Sequence, residues 1–319
     1  MKFRSDPARI RGSIAPVITP FTDSGALDAD GLRRLVRRQL DAGSHGVSLG
    51  GSTGEPSAQT VGERITGMRV AAEEIADRVP FVPGTGSAKL DETLELTAAA
   101  ADLGADAVLV ITPYYARPTQ QGLYDWYATV AREFPDLPIA VYNVPSRTAV
   151  DIAPATVARL YRDFDNVVGV KETTKDFEHF SRVLHACGPD LIVWSGIELL
   201  SLPLLALGGA GFVSAVANLA PAAVARMYEA WTAGDFATAR DLHYRLHPLV
   251  DLLFVETNPA PAKWVLKRQG HLASDHVRPP LSAPTEAGIA RIRELLAEGA
   301  DLTDPIDRSP DYGERFSGL

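Results

Sequence analysis

What most limits the fold of this chain is one alternation repeated along most of its length. A short apolar run is followed by a turn and then by apolar residues at helical spacing. The apolar runs are Ile14–Thr19, Gly46–Gly50, Phe81–Gly84, Ala107–Ile111, Ile139–Tyr142, Asn166–Lys171, Leu191–Ser195 and Gly211–Ser214. The intervening stretches predict helices: one capped by Asp28 and ending near Gly43, then Thr60–Arg78, Leu90–Leu103, Leu123–Phe134, Pro154–Tyr161, Phe177–Cys187, Glu198–Leu207 and Pro221–Ala233. Eight strand-then-helix units predict an α/β fold, a (β/α)8 TIM barrel over residues 10–233. An open doubly wound sheet usually carries a Gly-rich dinucleotide turn after its first strand. Here that position reads Pro20-Phe21-Thr22-Asp23-Ser24-Gly25, so the barrel is preferred.

Beyond Gly234 the strand pattern stops. Ala237–Val255, Pro261–Gln269 and Thr285–Glu298 predict a C-terminal helical appendix over 234–300, interrupted by Pro279-Pro280. A polar tail, 301–319, is expected to be loose or laid on the surface.

Charge and cysteine content narrow the function. A net charge of −9 over 319 residues argues against a nucleic-acid or anionic-membrane surface. The single cysteine, Cys187, excludes an intrachain disulfide and a cysteine-based zinc cluster, and is expected to pack at a helix end. Met1–Asp6 has no apolar signal-like run, and no stretch is long enough to span a membrane, so a soluble cytoplasmic protein is expected.

A barrel gathers its chemistry at the C-terminal ends of its strands. The sixth apolar run ends in Val170-Lys171-Glu172-Thr173. An ammonium held against apolar walls loses solvation, which disfavours its charged form and frees a nucleophilic amine. The plainer alternative is a lysine that snorkels out to Glu172. The second run ends in Gly50-Gly51-Ser52-Thr53-Gly54-Glu55, whose N–H groups could cradle a carboxylate or simply make a tight turn. The fourth leads to two phenols, Tyr114 and Tyr115, in a proline-stiffened loop. The fifth ends in Tyr142-Asn143-Val144-Pro145-Ser146-Arg147-Thr148, offering a proton-relay phenol and a guanidinium suited to bidentate carboxylate binding.

Four of these segments carry a resemblance. Gly51–Glu55, Tyr142–Thr148, Gly169–Glu172 and Gly208–Ser214 resemble, in order, the motifs of the dihydrodipicolinate synthase / N-acetylneuraminate lyase family of class I aldolases. The resemblance spans roughly residues 12–300. It implies a lyase that works without metal or cofactor, through a covalent Schiff base between Lys171 and the keto carbon of pyruvate. Gly51, Ser52 and Thr53 would hold the pyruvate carboxylate. Tyr142 would pass protons through Ser52 to Tyr115, and Tyr115 would reach into a neighbouring subunit. That arrangement implies a homo-oligomer, a dimer or a tetramer of two dimers. Val213 would add a backbone contact beside the lysine, and Gly196 would also line the substrate.

The second substrate implied is an acidic aldehyde. Arg147 matches the arginine that synthase-type members use for aspartate semialdehyde, which makes a sialic-acid substrate unsuitable. A catabolic aldolase for 4-hydroxy-2-oxo acids remains the alternative, and a non-catalytic barrel used for binding is the alternative of another class. Two positions and one segment depart from the synthase pattern: Ser52 stands where threonine is usual, Ala149 where glycine is common, and Pro56-Ser57-Ala58-Gln59 is an unusual continuation. In lysine-responsive members two histidines and an asparagine line a feedback site. The matching positions here are Val61, Arg64 and Ala88, with Glu92 retained, so little inhibition by lysine is expected. His179, His185, His243, His247, His271 and His276 are expected away from the strand ends, with only His243 and His247 spaced to share a metal.

Overall fold

A computed structural model describes residues 7–306. Seven strands form one parallel sheet: β1 (Gly12–Pro16), β2 (Gly46–Ser48), β3 (Val108–Ile111), β4 (Ile139–Asn143), β5 (Val167–Glu172), β6 (Ile192–Ser195) and β7 (Gly211–Val213). Their order in space is β2-β1-β7-β6-β5-β4-β3. The expected strand at Phe81–Gly84 is corrected. It makes only isolated parallel bridges, Phe81 with Val47 of β2 and Gly84 with Leu109 of β3. Pro80 and Pro83 have no N–H to offer a ladder, which breaks strand regularity there. The N–H groups that remain are all used: Val82 donates to Val47 at 2.9 Å, Gly84 to Leu49 at 2.6 Å and Thr85 to Leu109 at 3.0 Å. This irregular stave links the two outer strands, so the sheet curls into an α/β barrel.

The helices around the sheet are α1 (Ala29–Asp41), α2 (Val61–Ile75), α3 (Leu90–Asp102), α4 (Gln120–Glu133), the single turn α5 (Pro145–Thr148), α6 (Pro154–Asp163), α7 (Phe177–Cys187), α8 (Ser201–Ala206) and α9 (Pro221–Thr232). Local chemistry starts them where expected. Asp28 accepts from the Gly31 N–H at 2.8 Å, and Thr60 with Glu63 forms a capping box at α2. The start of α8 is corrected, because Glu198–Leu200 forms a separate 3₁₀ turn.

Register then fixes which side chains enter the barrel. Val141, Val170 and Val193 are paired neighbours in β4, β5 and β6 and pack outward against the helices. Alternation therefore turns the next row, Tyr142, Lys171 and Trp194, toward the interior. Trp194 is buried there among Ile14, Leu109, Ile192 and Val213.

After the barrel come α10 (Phe236–Arg245), α11 (His247–Leu253), α12 (Ala260–Arg268) and α13 (Glu286–Glu298). The single helix expected over 237–255 is corrected to two, because Pro248 has no N–H and its ring crowds the carbonyl four residues back. Residues up to 306 are laid on the surface: Asp304 binds Arg38 and His271, each at 2.8 Å. Met1–Asp6 and the rest of the expected tail lie outside the described residues. Cys187 ends α7 half-buried, and burial pushes its thiol up to about 11. Among the described residues no helix is long and apolar enough to cross a membrane.

Candidate active site

Lys171 is buried at the end of β5, with its Nζ 4.0 Å from the centre of the Tyr142 ring. A cation over an aromatic face is attracted by the ring quadrupole, which helps to hold the amine against Tyr142. Space for it depends on Gly196. A Cβ at that position would lie 2.9 Å from Lys171 Cε and 2.1 Å from Thr173 Cγ2.

The alternative in which Lys171 turns out to Glu172 is not what the chain adopts. Glu172 is occupied elsewhere: it accepts from Asn143 Nδ2 at 3.0 and 3.1 Å and from the N–H groups of Thr173 and Thr174 at 2.9 Å. His179 Nε2 adds an ion pair at 3.1 Å. His179 is thus corrected, since it reaches the end of a strand from α7. Burial, the largest single influence, opposes its charged form, but the contact with Glu172 together with the negative charges of Glu172, Asp151 and Asp176 raises its pKa above the ordinary histidine value.

The hydroxyl turn is a 3₁₀ turn, Ser52–Gly54, opened by Gly51. Gly50 before it has φ +67°, and a Cβ there would lie 2.7 Å from the Gly84 carbonyl, so glycine is needed for this close passage. Ser52 Oγ stands 3.3 Å from the Tyr142 hydroxyl. Gly51, Ser52, Tyr142, Tyr114, Arg64 and Arg147 line part of one cavity of about 220 Å³. Its described walls hold two guanidinium groups and no carboxylate, so its field favours anions.

The remaining residues named from sequence take different places. Lys171 is not among the residues lining the cavity and meets it only through the ring of Tyr142, which is. Thr53 is buried next to Ser52, and its Oγ1 accepts from Asn258 Nδ2 at 3.0 Å. Val213 is buried in β7 opposite Ile14. Tyr115 does not line the cavity; it is 95% exposed, with φ +73°, while its neighbour Tyr114 faces in. Arg147 is exposed on α5, with Nη2 3.5 Å from the Asn258 carbonyl. Two residues lay in no motif and were missed. Asn258 meets Thr53 through its side chain and Arg147 through its carbonyl. Glu198 accepts the Ala215 N–H at 2.8 Å; desolvation raises its carboxyl pKa, and the nearby Lys171 charge opposes that rise. His243 and His247 place their Nε2 atoms 3.4 Å apart, and among the described residues no three side chains are grouped to hold a metal.

The departure at residue 149 has a structural meaning. Ala149 closes α5 with φ +54°, a left-handed conformation that disfavours any Cβ. Ala149→Gly is expected to stabilise the fold by about 0.5–1 kcal/mol, the relief of strain being partly offset by unfolded-chain entropy. Urea unfolding of the two proteins checks this, and an unchanged or lower midpoint would count against it.

The fold and site together define an α/β-barrel protein with a buried amine, a phenol–hydroxyl pair and an anion-favouring cavity. Residues 9–298 match the Dihydrodipicolinate synthetase family. The chain belongs to that family. It is 47% identical over 285 residues to the 4-hydroxy-tetrahydrodipicolinate synthase of Thermus thermophilus, covering 89% of this chain and 95% of that one. The crystal structure of dihydrodipicolinate synthase from Aquifex aeolicus superposes with a TM-score of 0.89 at 37% identity, covering 93% of this chain and all of the other, 100%. A chloride-inhibited dihydrodipicolinate synthase from Acinetobacter baumannii, complexed with pyruvate, gives 0.87 at 35% identity, with 91% and 99% covered.

Proposed function

We propose that this lyase condenses pyruvate with aspartate semialdehyde, the reaction of a 4-hydroxy-tetrahydrodipicolinate synthase. The observation that carries the reading is the chain of contacts from Lys171 Nζ to the Tyr142 ring and from the Tyr142 hydroxyl to Ser52 Oγ. An amine beside a phenol–hydroxyl pair supports this reading, because imine chemistry needs a nucleophile with a proton relay next to it.

The Lys171 amine adds to the keto carbon of pyruvate, and the carbinolamine loses water to give an imine. A proton leaves the pyruvate methyl carbon, and the enamine formed there bonds to the aldehyde carbon of the acceptor. The new alkoxide takes up a proton. The acceptor's own amine then attacks the imine carbon, closing the ring and releasing Lys171. Tyr142 and Ser52 move the protons, the Gly51–Thr53 turn binds the pyruvate carboxylate, and Arg147 binds the acceptor carboxylate. Gly196 leaves room for the lysine, and Val213 supplies a backbone contact beside it. The protonated imine is itself the electron sink, so the scheme calls for neither metal nor cofactor. Tyr115 completes the relay of a second copy, so the working unit is a homodimer or a pair of dimers; its near-complete exposure in one chain supports this role. The protein acts in the cytoplasm.

Pyruvate consumption with aspartate semialdehyde, run beside succinic semialdehyde, tests the acceptor. The second aldehyde keeps the carboxylate but lacks the amine for ring closure. Preference for the first is expected; preference for the second, or indifference, would move the chain to the catabolic aldolases.

Lysine is expected to inhibit weakly or not at all. Arg64 is buried at one of the feedback positions and donates to the Gly84 and Gly86 carbonyls. Glu92 is already held by Lys89 at 2.8 Å and Ser87 at 2.6 Å. Half-inhibition at submillimolar lysine in a steady-state assay would refute this.

A further inference from the structure

The helical segment after the barrel touches the hydroxyl turn at two buried points. Asn258, between α11 and α12, donates from Nδ2 to Thr53 Oγ1 at 3.0 Å. Lys263, in α12, is fully buried, and its Nζ lies 2.5 Å from Oε1 of Glu55, the residue that closes the turn with φ +53°. The other Glu55 oxygen accepts the Arg278 N–H at 3.0 Å. Lys263 Nζ also donates to the His276 carbonyl at 2.9 Å and stands 4.2 Å from the Phe21 ring centre. These contacts grip the turn on either side of Gly54.

A pair buried this deeply is weak support for stability as such. Its desolvation cost offsets much of its attraction, and burial pushes the Lys263 ammonium down to about 8 despite Glu55. What the pair does supply is direction, because an ammonium and a carboxylate with fixed partners admit few arrangements. The Asn258 bond has a second consequence. A hydroxyl has one hydrogen to donate. With an amide N–H filling a lone pair of Thr53 Oγ1, that hydrogen is free to point at an incoming carboxylate.

Building on the pyruvate reading above, we infer that the helical appendix is part of the pyruvate site. Asn258 and the Lys263–Glu55 pair are positioning residues that hold the Ser52–Thr53 turn, and the Thr53 hydroxyl hydrogen, toward the pyruvate carboxylate. The acceptor side is served differently, since Arg147 meets the backbone carbonyl of Asn258, which side-chain substitution leaves in place.

The test compares wild type with Asn258→Ala, Asn258→Asp, Lys263→Met and Lys263→Arg. Steady-state kinetics in each substrate, borohydride trapping of the pyruvate imine and melting temperature are measured on the full chain. Asn258→Ala is expected to raise KM for pyruvate about tenfold, the loss of one charge-assisted contact, with kcat and the aldehyde KM within about twofold. Asn258→Asp, an acceptor only, recruits the Thr53 hydrogen to itself and raises pyruvate KM further, although it is closer in shape to asparagine. Lys263→Met raises pyruvate KM, and Lys263→Arg restores part of the loss. If Lys263→Met does not fold, the two Asn258 variants decide. A trapped imine in wild type with pyruvate KM unmoved in both Asn258 variants would overturn the inference alone. No trapped imine in wild type would overturn the pyruvate reading and this inference with it.

Discussion

Lys171→Ala is expected to lower kcat by on the order of 10⁴-fold or more, because it removes the amine that the proposed mechanism bonds covalently to substrate. Trapping should separate this from a folding defect. Wild type treated with pyruvate and borohydride should gain the mass of one reduced pyruvate on Lys171, and the variant should gain nothing. The site is built around this side chain: Gly196 gives it space, Tyr142 gives it a π face, and Glu172 is tied to Asn143, Thr173, Thr174 and His179 instead. Pyruvate-dependent turnover near wild-type levels in Lys171→Ala would remove the basis of the proposed mechanism and revive a non-catalytic barrel.

Tyr142→Phe is expected to lower kcat by about 10²-fold or more while leaving the imine detectable after long incubation. The substitution is informative because it divides the two contacts of one side chain. The phenyl ring still lies under the ammonium, which stands 4.0 Å from its centre, but the hydroxyl 3.3 Å from Ser52 Oγ is lost. Proton transfer by a positioned group contributes about 10²–10⁴-fold. A kcat reduced by no more than about threefold would mean that protons travel by another route, with Glu198 the next group to examine.

Much of this protein was legible along the chain. Strand and helix periodicity gave the barrel, because burial on both faces of a parallel sheet demands continuous apolar runs, and Asp28, Thr60 and Glu63 marked helix starts through capping chemistry. Lys171 and Tyr142 could be picked out because they lie at the ends of β5 and β4, and the Gly51–Thr53 turn and Arg147 because they follow β2 and β4 on the same face of the barrel. Two of the three corrected elements depart from the apolar pattern for a local reason, proline. Pro80 and Pro83 deny ladder bonds to residues 81–84, and Pro248 splits the first appendix helix.

The rest required three dimensions. No spacing rule links Asn258 to Thr53, 205 residues apart, or Lys263 to Glu55. No pattern says that Glu172 would be satisfied by Asn143 and His179 and so leave Lys171 to an aromatic ring. Periodicity is set by each residue's immediate neighbours and by which face is buried. Pairing between distant polar groups is set by how the strands register and how the appendix docks. Apolar periodicity along the chain is enough for the barrel and for the residue types that gather at its strand ends; which partner each buried charge and hydroxyl keeps depends on the packed fold, because a buried polar group takes whatever partner the packed chain brings within hydrogen-bond reach.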